Sequence, residues 1–86
     1  MPTICTFYGI LIQMFYNDHA PAHFHVKYGE YKAVVDIQTL DIMQGKLPRH
    51  AASLVREWGR AHQGELLEDW ELCRLKHRPK SIQPLE

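Results

Sequence analysis

Long apolar runs are missing from this chain. The most hydrophobic stretch, Ile10–Tyr16, covers seven positions and contains Gln13, far short of the roughly 20 apolar residues a membrane-spanning helix needs. Cysteine is scarce. Cys5 and Cys73 are too few and too far apart for a disulfide framework or a metal knuckle, and they read as buried reduced thiols. The opening Met1-Pro2-Thr3-Ile4 carries no basic leader and no signal-peptide hydrophobic region, which points to a cytoplasmic protein without a membrane partner. Excess charge is absent too: 10 Lys and Arg balance 10 Asp and Glu. Residues 1–45 carry a net charge of −2 and residues 46–86 a net charge of +2, an asymmetry too mild to establish nucleic-acid binding. Internal repeats and low-complexity tracts are lacking.

What remains is a sequence of 86 residues, 45% of them hydrophobic. At this size folding buries only about 60–65% of the surface of the open chain, so one small core is expected. The first 38 residues read as strands. Thr3–Phe7 and Ile10–Tyr16 are rich in β-branched and aromatic residues, with Tyr8-Gly9 between them as a tight turn. Asn17–Ala22 is a polar loop with Pro21; His23–Tyr28 and Tyr31–Ile37 follow as strands around a Gly29-Glu30 turn. From Lys46 the period changes to that of a helix, with Pro48 in its first turn. Leu47, Ala51, Leu54, Val55, Trp58, Ala61 and His62 then share one side and Arg49, Arg56 and Arg60 the other. Gly64 is expected to break or bend the chain before a second helix from Glu65 to about His77, whose acidic start and basic end suit the helix dipole.

The expected fold class is therefore α+β: an antiparallel meander of about four strands, then two helices packed on one face. Residues 1–78 form the domain and residues 79–86 a C-terminal tail. Ile4, Phe24, Val26, Val35, Leu54, Val55, Trp58, Leu66 and Trp70 are the expected core. Both faces of Ile10–Tyr16 are apolar, so its inward parity stays open; a strand covered on both sides, with a dimer partner on one of them, would explain the pattern.

Three of the six histidines fall inside seven residues, His19, His23 and His25. Residues two apart on a strand share a face, which puts His23 beside His25. A two-residue Gly29-Glu30 turn fixes the register: Tyr28 opposite Tyr31, Lys27 opposite Lys32, His25 opposite Val34 and His23 opposite Asp36. One polar face then collects His23, His25, Lys27, Lys32 and Asp36.

The opening Met1-Pro2-Thr3-Ile4, the segment Asn17-Asp18-His19-Ala20-Pro21-Ala22-His23-Phe24-His25-Val26, and Leu54-Val55-Arg56-Glu57-Trp58 through His62 to Glu65-Leu66-Leu67 with Trp70 together resemble the small bacterial proteins grouped as domain-of-unknown-function family 4160. The likeness runs over roughly residues 1 to 75. Members commonly carry a second proline in the histidine segment, where this chain has Ala20 and Ala22 around a single Pro21. The resemblance implies no established activity. It implies a partner instead, because such genes often lie beside another small domain in arrangements like toxin–antitoxin pairs.

Four uses of the histidines follow. They can be solvated, or tie down the Pro21 loop. They can hold a divalent transition metal such as zinc, with His23 and His25 as same-face ligands and His19 or Asp18 as the third. They can divide acid and base roles in metal-free phosphodiester cleavage of RNA, His23 steadied by Asp36 as base, His25 as acid and Lys27 offsetting charge on phosphate. Finally, the chain can be a binding module: Arg49, Arg56 and Arg60 would meet phosphates or an acidic partner, and an edge strand would pair with a partner protein or a second copy. Component of a toxin–antitoxin-like pair, acting by protein or nucleic-acid binding, and histidine-based hydrolase are the two functional expectations.

Overall fold

A computed structural model describes residues 2–16 and 18–85. Asn17 of the expected loop lies outside the described residues, as do Met1 and Glu86. Five strands pair in chain order as one antiparallel meander: β1 (Thr3–Phe7), β2 (Ile10–Gln13), β3 (His23–Tyr28), β4 (Tyr31–Asp36) and β5 (Ile42–Gly45). Two helices follow, α1 (Arg49–Ala61) and α2 (Gln63–Arg74). The α+β meander is as expected, with one strand more.

That strand gave no signal because all four of its residues are exposed, so no alternation marks it. It exists because the chain turns back at 37–41, where the Leu40 N–H donates to Asp36 O at 2.8 Å and the Asp36 N–H to Asp41 O at 3.0 Å. The first turn holds Tyr8 at φ 48° and Gly9 at φ 78°, the doubly left-handed pattern that matches strand twist in a two-residue hairpin. The Gly29-Glu30 turn produces the expected register at every pair: Tyr28 with Tyr31, Lys27 with Lys32, His25 with Val34 and His23 with Asp36.

The parity of β2 is resolved. Ile10, Ile12 and Met14 point inward and are fully buried, while Leu11, Gln13 and Phe15 alternate on the opposite face. β2 ends at Gln13 rather than Tyr16. Trp58 of α1 sits at the centre of the core, fully buried, with its ring 5.5 Å from Phe7 and 5.9 Å from Phe24. The helices therefore cover the sheet face that carries Phe24, Val26 and Val35. All the expected core residues are buried except Leu54, which only packs against the cluster from its edge. Cys5 and Cys73 are buried free thiols, and burial pushes both above the ordinary thiol range, which keeps them protonated and unreactive.

Two boundaries differ from expectation. The helix break falls at His62, whose φ of −127° stops α1, and α2 restarts at Gln63 so that Gly64 lies inside it. Residues 79–85 are not a loose tail. Pro79 and Ile82 are buried, the Ile82 N–H donates to Ile4 O at 2.8 Å, and Trp58 Nε1–H donates to Gln83 O at 2.8 Å. The segment lies along β1 and closes the core on that side. No helix among the described residues is long and apolar enough to cross a membrane.

Candidate metal centre

β3 delivers His23 and His25 to the face of the sheet that points away from α1, and the loop before it brings Asp18 over both rings. Asp18 Oδ2 lies 3.1 Å from His23 Nε2 and 2.9 Å from His25 Nε2. The three donor atoms are all within 4.8 Å of one another. An ion with bonds of about 2.1 Å holds its ligands roughly 3–4 Å apart, a spacing close to that of these three atoms.

The second nitrogen of His23 is also assigned. Its Nδ1 is 2.7 Å from Pro21 O; a carbonyl can only accept, so Nδ1 carries the proton and Nε2 faces Asp18. Nε2 then holds either a second proton shared with the carboxylate or a lone pair free for a metal. Engagement of the outer nitrogen by a backbone carbonyl is the usual way a ligating imidazole is oriented.

The surroundings are partly closed. Side-chain exposure is 11% for His23, 26% for His25 and 24% for Asp18. Trp70 of α2 packs on the His23 ring at 5.0 Å between centroids, and Phe15 meets the His25 ring edge-on at 4.2 Å. A cavity of about 390 Å³ opens on the other side, lined by Asp18, His19, Ala20, Pro21, His23 and His25 together with Val34, Met43 and Gln44. Two imidazoles and one carboxylate, with one side open, is the donor set of hydrolytic zinc sites and of non-haem iron sites.

Not every expected site residue joins this centre. Asp36 does stand opposite His23, but its Oδ1 accepts from the Gln38 N–H at 2.7 Å and the Thr39 N–H at 3.1 Å. It caps the turn into β5, and Asp18 takes the role expected of Asp36. His19 lines the cavity but is exposed and is not one of the three clustered donors. Lys27 shares the face of His25 one pair further along, opposite Lys32. Arg49, Arg56 and Arg60 lie exposed on α1; Arg56 is tied to Asp41 at 2.7 Å and Glu57 lies within the same depression as Arg56 and Arg60. His62 is satisfied by Glu65 at 2.6 Å and packed on Trp58, and His50 is bonded to Tyr28 OH at 3.2 Å.

Residues 9–71 match a family described as Domain of unknown function (DUF4160). The chain belongs to this family. The matched region spans β2 through most of α2 and includes Asp18, His23, His25 and Trp70. Neither a curated protein nor a solved structure matches the chain. Family membership thus supplies no activity, and the chemistry has to be argued from the site.

Proposed function

We propose that this chain is a metal-dependent hydrolase whose divalent ion, zinc by its donor set, is held by Asp18, His23 and His25. The observation that carries the reading is the convergence of one carboxylate oxygen on two imidazole nitrogens at 3.1 and 2.9 Å, with His23 held from behind by Pro21 O. Each of these short contacts is a hydrogen bond where the ring nitrogen carries a proton, and a divalent cation bound to the nitrogen lone pairs and the carboxylate would stand in place of those protons. A bound ion supplies Lewis acidity toward a carbonyl or phosphoryl oxygen and an acidified water. The chain's own residues do the rest. Pro21 O and Trp70 fix the His23 ring, Phe15 packs His25, and Asp18 brings the negative charge that offsets the cation.

The test uses protein purified without a histidine tag and stripped with a chelator. Zinc titration by calorimetry should show one tight equivalent, with Asp18→Asn and His25→Asn retaining less than about a tenth of it and His19→Ala retaining all of it. The zinc- or manganese-loaded protein should hydrolyse an activated carboxylic ester or bis(4-nitrophenyl) phosphate, and Asp18→Asn should not. Failure of the wild type to bind zinc ends the reading.

A second reading, association with a partner protein as half of a toxin–antitoxin-like pair, draws on β5. It is a sheet edge whose Ile42 and Met43 are 40% and 45% exposed, and an exposed apolar edge favours pairing with another strand. Light scattering after size exclusion tests the homodimer version, which a strict monomer at high concentration excludes.

A further inference from the structure

The sheet face that points away from α1 carries a second feature beside the metal site. Lys27 and Lys32 are directly opposite each other in the β3–β4 register and both are exposed. Like charges placed opposite across a sheet repel. Neither lysine ion-pairs with a described carboxylate, although the other ion pairs of the molecule are formed at 2.6–3.1 Å. Lys46 follows β5 beside them, its N–H donating to Lys32 O at 3.1 Å. Lys27 and Lys32 line a groove of about 500 Å³ that also takes in Gln13, Phe15, His25 and Gln44, with Gln13 and Gln44 in the same cross-strand row as His25 and Val34. Lys27 and Lys32 thus form a cationic end, and the His25 row flanked by the two amides forms the other, where the half-buried Phe15 ring packs on His25 of the Asp18–His23–His25 centre.

We infer that this groove binds a single-stranded polynucleotide, with phosphates on Lys27 and Lys32 and a base against Phe15. Charge complementarity selects an anionic occupant, and the ring selects one with flat faces to stack. A broad sheet face does not enter a duplex groove, which admits a helix or a two-stranded ribbon, so the occupant is a single strand. The inference rests on the proposed hydrolase only in naming what would lie over its ion; the binding itself needs no metal.

The experiment is fluorescence anisotropy with a labelled oligouridylate, carried out in EDTA across a salt series. The wild type should bind, and Lys27→Gln/Lys32→Gln should weaken binding at least tenfold at low salt. The same variant should flatten the slope of log K against log salt by about 1.4, since each phosphate contact on a single strand contributes about 0.7. Both lysines are exposed, so folding is retained, and unchanged zinc stoichiometry in this variant separates the groove from the metal centre. Phe15→Ala should cost about fivefold or more. An equal loss in Arg49→Gln/Arg56→Gln/Arg60→Gln would overturn the inference, because that stripe lies on α1. Equal affinity of the lysine variant, tighter binding to duplex RNA, or displacement by polyglutamate as effective as by unlabelled oligouridylate would overturn it as well. Oligonucleotide binding in a wild type that takes up no zinc would keep the groove and remove the hydrolase.

Discussion

Asp36 faces His23 across the sheet, yet its carboxylate turns toward the backbone of Gln38 and Thr39. A side-chain oxygen that accepts from N–H groups two and three residues on is a common way for aspartate to build a turn. Asp18, five residues before His23, reaches both rings instead. The two aspartates should therefore separate in mutagenesis. Asp36→Ala should destabilise the fold by about 1 kcal/mol, in the range of a lost capping interaction, while zinc stoichiometry stays intact. Asp18→Asn should do the reverse, with urea denaturation and metal titration as paired readouts. Register was legible from the two-residue turn, because period-two geometry leaves no freedom once the turn length is set. The direction of a carboxylate was not. It depends on where a loop of irregular backbone carries Asp18 and on which N–H groups of the next turn lack partners, and neither has a sequence period.

At the scale of elements, the strands with one buried face were readable and the one without was not. β3 and β4 alternate between core and open face, whereas every residue of β5 is exposed. β5 is held by backbone geometry, above all at Gly45. There φ is +78° and an added Cβ would stand 2.1 Å from Lys32 O. Gly64 contrasts with it: it lies inside α2 and a Cβ would meet nothing within 4 Å. Gly45→Ala should destabilise by on the order of 2 kcal/mol or more, from the left-handed backbone and the clash with main chain. Gly64→Ala should stabilise by about 0.5–1 kcal/mol through reduced freedom of the unfolded chain. Thermal melts of the two variants should shift in opposite directions. The glycine expected to break the helix is thus the one that tolerates a side chain, since His62 makes the break.

The whole molecule is closed by a segment that carries no secondary structure. Short, polar and proline-containing, residues 79–85 have no period to announce burial, yet Ile82 is only 5% exposed and bridges to β1, while Gln83 O accepts from the central Trp58. In a domain of this size, where total stability is about 5–10 kcal/mol, Ile82→Ala should cost about 2–4 kcal/mol, visible as a lower urea midpoint. The same segment is anchored by Asp69, which is 1% exposed; its Oδ1 accepts from the Lys80 N–H at 2.9 Å and its Oδ2 has no hydrogen-bond partner among the described residues. Burial first, and the nearby Glu68 and Glu65 charges after it, push this carboxyl above its ordinary 3.8, against the lowering pull of the Lys80 N–H. A carboxyl whose folded value is raised takes up its proton in the native state before the unfolded chain does. Its contribution to stability is therefore complete below 3.8 and lost as pH rises through the folded value. Asp69→Asn keeps an oxygen for Lys80 N–H without the charge, so its stability relative to wild type should be highest at neutral pH and should fall as the solution is acidified toward 3.8. Parallel urea titrations of the two proteins across that range measure the difference, and a difference that does not vary with pH would show that folding does not raise the Asp69 carboxyl.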